Sequence, residues 1–197
     1  MSEETGDMEK LMAECLFCRK CEIGGQLVGG KLSNVFSSMN CGAKVIVVGQ
    51  SPGTEEVSKG EPFVGACGIA FDQALREAGM SRADFYFSNS VRCCTPGGRK
   101  PSQEEMDNCR YFLDREIEIL KPVMAVALGG MALRQLTGMS GIKKNRGEQV
   151  FSPRYRMFVF PMLHPSLANK EALVEDMRKM KDAVERAKKL DEMVPVD

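Results

Sequence analysis

The sequence predicts an α/β fold: a single domain with a central four-stranded parallel sheet and helices on both faces. Four short apolar runs indicate buried strands, at 44–48, 85–89, 123–128 and 157–161. Helical patterns separate these runs, at 67–78, at 102–120 and from Gly130 to Gly138. Alternation of strand and helix implies right-handed crossovers, and therefore a parallel sheet that is covered on both sides.

Local signals define the ends of the chain and the start of one helix. Ser102 and Glu105 form a capping box, which predicts that a helix begins there. The stretch 171–190 places apolar residues along one helical stripe, so we predict an amphipathic helix packed on the domain, with a partner-binding helix as the alternative. Residues 1–43 form an irregular N-terminal arm, rich in Gly and Cys. One domain over 1–197 is expected.

Composition excludes several classes of protein. The formal net charge is zero and the pI is about 6.6, so any nucleic-acid binding must depend on a local basic patch. No apolar run approaches the roughly 18 residues of a membrane span. Residues 1–10 resemble neither a secretory signal nor a transit peptide. We expect a cytoplasmic or nucleoid protein that makes no membrane contact, and a monomer because no large unpaired apolar face is evident.

The eight cysteines are clustered along the sequence. Cys15, Cys18 and Cys21 form two overlapping C-x-x-C pairs, and Cys93 and Cys109 bracket the loop before the capped helix. In a reducing compartment such clusters more often hold a metal than form disulfides. Four thiolates can hold zinc or an iron-sulfur cluster, and the spacing does not choose between them. The alternative is that several are buried apolar residues, as we predict for Cys67.

Polar residues follow three of the predicted strands. Gln50 lies in the turn 49–53 (GQSPG), Asn89 ends the second strand, and the single histidine, His164, follows the last. The turn lacks the Lys-Ser/Thr of a phosphate loop and the third Gly of a dinucleotide fingerprint. Because ligands bind beyond the carboxyl ends of parallel strands, the three residues predict one site. The alternative interpretation is structural: a turn residue, a strand cap and a loop histidine held by Pro165.

The order of motifs is more specific than any single motif. C-x-x-C, GQSPG with Glu55 and Glu56, GEPFVGACG, SNSVRCCTPGGRKPSQEEMDNC and FPMLHPS follow one another over roughly 11–168. This order resembles the family 4 uracil-DNA glycosylases, which carry a 4Fe-4S cluster. The resemblance implies a DNA repair hydrolase that flips uracil out of DNA and hydrolyses its N-glycosidic bond, leaving an abasic site.

The resemblance also implies roles for individual residues. Phe63 would stack on the base, although core packing is its alternative, and Asn89 would hydrogen-bond the base edge. His164 would donate toward a base oxygen as negative charge develops on the departing uracil. Glu56 would orient the attacking water or offset the charge of the oxocarbenium-like sugar. Catalysis is thus assigned to Glu56, His164 and Gln50, and base binding to Phe63, Asn89 and the turn residues Gly49, Ser51 and Gly53.

The same resemblance selects cluster ligands and DNA contacts. Cys18, Cys21, Cys93 and Cys109 match the family's ligands, so a 4Fe-4S cluster is favoured over zinc and would fasten the arm to the domain. Cys15, Cys41, Cys67 and Cys94 then have no assigned role. Basic residues near this loop and further along the chain could grip DNA phosphates, with solvated surface charge as the alternative. The predicted DNA contacts are Arg99, Lys100, Lys143, Lys144, Arg146 and Ser166.

Three departures from the family pattern leave alternatives open. Gln50 stands where the family has Glu, Val57 replaces the second acid of its acidic pair, and the residues after Ser166 only partly resemble its wedge loop. The chain could therefore act on another deaminated base, or bind uracil-DNA, single- or double-stranded, without turnover. A protein of a different class, with a zinc or redox site of four cysteines, is the remaining alternative.

Overall fold

A computed structural model describes residues 3–165 and 169–193, and it contains all four helices predicted from the sequence. Their bounds are α3 (Ala66–Glu77), α4 (Gln103–Leu120), α5 (Gly130–Thr137) and α7 (Lys170–Met193). The capping box is confirmed: Ser102 Oγ accepts from the Glu105 N–H at 3.1 Å, and Glu105 Oε2 accepts from the Ser102 N–H at 2.7 Å. The sequence did not predict α1 (Glu3–Leu16), α2 (Thr54–Lys59) or α6 (Ile142–Asn145).

The central sheet has five strands and is mixed, which corrects the predicted four-stranded parallel sheet. The four predicted strands form and run parallel, as β4 (Phe85–Asn89), β3 (Val45–Gly49), β5 (Met124–Leu128) and β7 (Met157–Met162) in that spatial order. The fifth, β6 (Val150–Ser152), pairs antiparallel with the outer edge of β7. It is three residues long and partly exposed, so it has no apolar run that would reveal it.

Helices cover both faces of this sheet, as predicted. On one face, Met8 of α1, Leu113 of α4 and Leu133 of α5 pack with the inward side chains of the strands. On the other, Phe71 of α3 and Met177 of α7 do the same. Alternate residues of each buried strand point to opposite faces, which is why every residue of β3 and β5 is buried. Within the described residues, no helix is long and apolar enough to cross a membrane.

The N-terminal arm is more regular than predicted. Its first part is α1, which buries Met8, Leu11 and Cys15 at helical spacing, and a short hairpin of β1 (Leu27–Val28) and β2 (Lys31–Leu32) follows. Asn34 fastens the arm, because its Nδ2 donates to the Cys15 carbonyl at 3.0 Å and its backbone bridges to Cys93. These hydrogen bonds and the buried residues of α1 hold the arm against the domain.

A buried ion pair joins α4 to the end of β4. Arg92 is 1% exposed and Glu116 is fully buried, and Arg92 Nη2 lies 2.6 Å from Glu116 Oε2. Ser37 and Ser88 donate to the same carboxylate, at 2.5 and 2.7 Å. Burial, the largest effect, lowers the pKa of Arg92, but Glu116 together with Cys15, Cys109 and Tyr86 outweighs it, so the pKa is raised. Arg92 therefore keeps its charge in the interior, where Glu116 is the acid that it contacts.

We predict that Glu116→Ala lowers the free energy of unfolding by about 3–5 kcal/mol, because it leaves the Arg92 charge buried without its partner. Urea denaturation monitored by circular dichroism measures the change. Glu118→Ala is the matched control on the same helix, since it breaks the exposed Arg115–Glu118 pair of 2.6 Å and should cost less than about 1 kcal/mol. Equal costs in the two variants would contradict the prediction.

Candidate active site

A cavity of about 540 Å³ lies at the carboxyl ends of the parallel strands. The chain leaves β3 toward β4 on one side, and the next strand, β5, pairs with β3 on the other side. Such a switch point leaves a crevice between diverging loops, where open α/β sheets bind ligands. The structure brings the predicted convergent residues Gln50, Asn89 and His164 together as lining of this one cavity, with Phe63, Glu56 and the turn after β3.

Glu56 is buried, and its carboxylate organises the loops around the cavity. Its Oε2 accepts from the Gly53 N–H at 3.0 Å, and its Oε1 accepts from the Val64 and Gly65 N–H groups at 3.0 and 2.7 Å. A carboxylate with three backbone donors fixes those donors strongly, because each hydrogen bond is charge-assisted. The Gly53 N–H, predicted to help bind the base, is therefore already committed to Glu56.

Phe63 lies in the segment that Glu56 holds, and its backbone is strained. Its φ is 56°, a left-handed conformation that is rare for a bulky residue. The carbonyl oxygen of Phe63 would lie 1.9 Å from a Cβ added to Gly68, so only glycine fits at position 68. The ring packs at 5.4 Å from that of Phe87 and is 7% exposed. Phe63 thus packs in the core and also lines the cavity, while its role in stacking on a base stays a prediction.

Gly49, the last residue of β3, lets the base-binding candidates approach one another. A Cβ at this position would lie 2.5 Å from Asn89 Oδ1 and 2.6 Å from Phe63 Cζ. The amide of Asn89 and the ring of Phe63 therefore occupy the space above the Gly49 backbone. Asn89 is held from behind, because the buried Arg92 guanidinium donates to its carbonyl oxygen. The polar edge and the flat face that a base needs are thus adjacent.

His164 contacts a cysteine whose role the sequence did not suggest. Its Nε2 lies 3.1 Å from Cys67 Sγ, and no other side-chain hydrogen bond to its imidazole occurs among residues 3–165 and 169–193. Packing around the ring lowers the pKa of His164 below its usual value of 6.5. Cys67 is half-buried and lines the cavity, so the prediction that it is a buried apolar residue is wrong. The sequence feature that could have placed Cys67 at the cavity is its position four residues after Phe63, in the first turn of α3.

The remaining predicted residues of the turn line the same cavity without a specific contact that assigns a role. Gln50 and Ser51 are half-buried there, and the Gln50 carbonyl accepts from the Val91 N–H at 2.9 Å. That bond couples the turn to the strand end carrying Asn89. The catalytic role of Gln50 and the base-binding role of Ser51 stay predictions.

The four predicted cluster ligands come from three parts of the chain and lie near one another. Burial, with smaller contributions from Cys109, Cys18 and Cys21, raises the pKa of the Cys93 thiol to about 12. Arg92 N–H donates to Cys109 Sγ at 3.3 Å, and Asn108 Nδ2 to Cys21 Sγ at 3.5 Å. In the described part of the chain, no group of three or more His, Cys, Asp or Glu side chains has the spacing of a formed metal site.

The predicted DNA contacts differ in whether an acidic side chain already pairs with them. Arg99 makes a two-pronged ion pair with Glu105, at 2.9 and 2.6 Å, and Arg146 binds the buried Asp176 at 2.8 Å. Each of these charges is therefore compensated by an acid of the same chain. Lys100, Lys143 and Lys144 are exposed. Ser166 and the first residues of the predicted wedge loop lie outside the described residues.

Comparison with known proteins identifies the class. The model of the uracil DNA glycosylase superfamily matches residues 36–188. The chain is 30% identical to the type-4 uracil-DNA glycosylase of Sulfurisphaera tokodaii, covering 89% of this chain and 84% of that relative. It is 36% identical to the type-4 enzyme of Thermotoga maritima, covering 76% and 78%. For the type-4 enzyme of Saccharolobus solfataricus the identity is 30%, covering 90% and 87%.

The chain therefore belongs to the uracil DNA glycosylase superfamily, and within it to the type-4 uracil-DNA glycosylases. These matches extend over most of the chain, so the resemblance is not confined to the cysteine pattern or to the general α/β architecture. An unrelated zinc or redox protein is no longer an adequate description.

Because His164 is the single histidine, its titration can be read directly. We predict a midpoint below 6.5, so the imidazole is neutral at pH 7, and Cys67→Ala should move the midpoint up toward 6.5 because water then reaches the ring. Proton and nitrogen NMR of the imidazole over a pH series measures it. Cys41→Ala, which removes a thiol far from the cavity, should leave the midpoint unchanged. A wild-type midpoint above 6.5 would contradict the prediction.

Proposed function

We propose that this chain is a DNA repair glycosylase that hydrolyses the N-glycosidic bond of uracil in DNA and leaves an abasic site. The observation that carries the proposal is the convergence of Phe63, Asn89 and His164 on one cavity in a chain of the type-4 family. The glycosidic bond is unreachable inside a base stack, so the uracil nucleotide must be extruded into that cavity. Single- and double-stranded DNA both permit this, and one chain supplies the whole site.

Base recognition is proposed to rest on Asn89 and Phe63. An amide carries both a donor and an acceptor, which matches the adjacent N–H and C=O groups of the uracil edge. A ring held beside that amide offers a flat apolar surface for the base. The close approach over Gly49 supports this arrangement, because the two side chains could not lie together above a larger residue. Arg92 supports it further by restraining the backbone of Asn89.

His164 is proposed to stabilise the departing base. As the glycosidic bond breaks, its electron pair moves onto uracil and negative charge grows on the base oxygens. A neutral imidazole N–H aimed at such an oxygen stabilises that charge, and a lowered pKa keeps the imidazole neutral at pH 7. The sugar becomes oxocarbenium-like, water adds at its anomeric carbon, and the proton that this water loses neutralises the uracil anion. Uracil and an abasic site are the products.

The contacts of Glu56 support a positioning role in addition to the predicted electrostatic one. Its three backbone hydrogen bonds hold the Gly53 turn and the Phe63 segment in register with the cavity. A buried negative charge near the sugar would also favour the oxocarbenium ion, because Coulomb interactions strengthen where water is excluded. Whether the same carboxylate orients the water stays a prediction, as its oxygens already accept three N–H groups.

Gln50 favours a second candidate function. An amide at this position has no carboxylate to accept a proton from water, unlike the Glu of the family motif. Excision of another deaminated base, or binding of uracil-DNA without turnover, would fit this substitution. Uracil release remains the first candidate, since Asn89, His164 and Phe63 all match the family pattern and meet in one cavity.

We also propose that Cys18, Cys21, Cys93 and Cys109 hold a 4Fe-4S cluster, with zinc as the alternative. Four thiolates suit either metal, and the family resemblance favours iron and sulfide. The four donors lie near one another and join the arm, the loop after β4 and α4, so the bound group would cross-link segments that already contact each other. Its proposed role is structural, because glycosidic hydrolysis transfers no electrons.

We expect the pure protein to release uracil from labelled oligonucleotides, read as an alkali-sensitive strand break. Substrates carry uracil opposite guanine, opposite adenine or in a single strand, and a thymine oligonucleotide is the negative control. His164→Gln should lower the rate about 100- to 1000-fold, because it removes a donor to the leaving base. Arg178→Gln, on an exposed face of α7, should leave the rate unchanged.

Retained binding of uracil-DNA without a strand break on any of the three substrates would select the binding candidate. Release of a different deaminated base, with no release of uracil, would select the candidate function of excising that other base.

The cluster has its own test, which does not depend on turnover. The purified protein should be brown, with broad visible absorption and about four irons and four sulfides per chain. Cys18→Ser or Cys109→Ser should remove the colour, whereas Cys41→Ser should retain it. A colourless protein with one zinc per chain would contradict the assignment.

A further inference from the structure

A second cavity, of about 390 Å³, lies between α4, α5 and the turn that joins β6 to β7. Three arginines from these three elements line it: Arg110, Arg134 and Arg154. No carboxylate belongs to the lining. Guanidinium groups present several N–H donors in a planar fork that matches the oxygens of a phosphate, so three of them around one cavity select for an anion of that kind.

The acids around this cavity compensate only part of its charge. Asp107 binds Arg110 at 3.0 Å, and Asp114 binds Arg154 at 2.5 Å. Within residues 3–165 and 169–193, Arg134 has no carboxylate at ion-pair distance. The pKa of Asp107 is lowered, first by hydrogen bonds from Arg110 and Gln103. The charge of Arg134 lowers the same pKa further, so Arg134 lies near this acid. The cavity is therefore net positive, and Arg134 is its free cation.

The shape of the cavity is fixed before any ligand arrives. Gln135, which is 2% exposed, donates through Nε2 to the Met106 carbonyl at 3.2 Å and so joins α5 to α4 at the floor of the cavity. Ser152 Oγ donates to the Leu136 carbonyl at 2.6 Å and joins the end of β6 to α5. The three guanidinium groups therefore project from elements whose relative positions are set by buried hydrogen bonds.

One end of this cavity approaches the proposed site of base excision, whereas the turn that carries Arg154 lies at the opposite, amino edge of the sheet. The backbone of Gly129 approaches the Cβ of His164, since an added Cβ at Gly129 would lie 3.5 Å from it, and α5 begins at the next residue. Arg134 is four residues further along, which is about 6 Å of helix axis. One strand of duplex DNA has a phosphate about every 3.4 Å along its axis, so a strand that leaves the base pocket along α5 would reach Arg134 within a few nucleotides.

We propose that the cavity lined by Arg110, Arg134 and Arg154 binds a backbone phosphate of the DNA strand, a short distance from the extruded nucleotide. The inference rests on the proposed function, because it assumes that DNA lies across the adjacent base pocket. The cavity also provides a cation for DNA, whereas the predicted DNA contacts Arg99 and Arg146 are bound by acids of the same chain. The chemistry alone would suit free phosphate as well, so the experiment separates the two sources.

The test compares wild type with Arg134→Gln on two ligands: a uracil oligonucleotide of about 15 nucleotides and a trinucleotide with uracil at its centre. A 2′-fluorinated uridine, which resists cleavage, allows affinity to be measured by fluorescence anisotropy without turnover. The variant should bind the long strand about tenfold more weakly, as expected for one lost charge-assisted contact. The slope of log affinity against log salt should fall by about 0.7. Trinucleotide binding should stay unchanged.

Controls make the outcome decisive. Arg178→Gln removes the same charge from an exposed face of α7, on the opposite side of the sheet, and should change neither affinity nor slope. Arg110→Gln should reproduce the effect of Arg134→Gln. An equal loss on both ligands, or an equal loss in Arg178→Gln, would overturn the proposal.

Inorganic phosphate separates the two sources of the anion. If phosphate raises the melting temperature of wild type but not of Arg134→Gln, while long-strand affinity is the same in both, the site binds free anions and the DNA assignment is overturned. A wild type that binds the long strand but releases no uracil would contradict the proposed function alone, because the affinity comparison does not require turnover.

Discussion

The buried pair of Arg92 and Glu116 is the interaction on which the rest of this structure depends. Removing two charges from water costs several kcal/mol for each ion, so the pair depends on further hydrogen bonds to its polar atoms, of which only Arg92 Nε has no partner among the described residues. Ser37 brings the arm to the carboxylate, and Ser88 brings β4. The guanidinium also donates to the carbonyl of Asn89. One network thus joins α4, the N-terminal arm and the strand end that carries the predicted base reader.

The same network lies next to the predicted cluster ligands. Arg92 precedes Cys93, and its N–H donates to the sulfur of Cys109. These thiols thus lie in segments that are already restrained by buried hydrogen bonds and by the Asn34 contacts of the arm. The proposed cluster would further restrain the backbone that carries Asn89.

Glu56 plays an equivalent part on the other side of the cavity. Its buried carboxylate holds the segment in which Phe63 adopts a left-handed backbone, and strain of this kind persists only when the surroundings over-determine it. Gly49 and Gly68 leave the space that this conformation requires. The Phe63 segment and the Asn89 backbone are consequently held by two separate buried side chains, Glu56 and Arg92.

The sequence by itself determined the elements that local patterns encode. Apolar runs marked the four parallel strands, the capping box marked the start of α4, and the strand ends placed Asn89 and His164 at one edge, because parallel strands carry their carboxyl ends to the same side. The order of motifs likewise indicated the family. The edge strand β6 was missed because three residues are too short for an apolar run, and α1 was missed because only three of its 14 residues form its buried stripe.

Only the tertiary structure decided which polar groups meet. Cys67 and His164 are 97 residues apart, and Arg146 and Asp176 are 30 apart, so no sequence window contains either pair. Packing distributed the charges as well: it bound Arg99 and Arg146 to acids and left Arg134 free beside the cavity. The physical reason is that burial and partner distance depend on the packing of distant elements, whereas strands, caps and turns depend on neighbours along the chain.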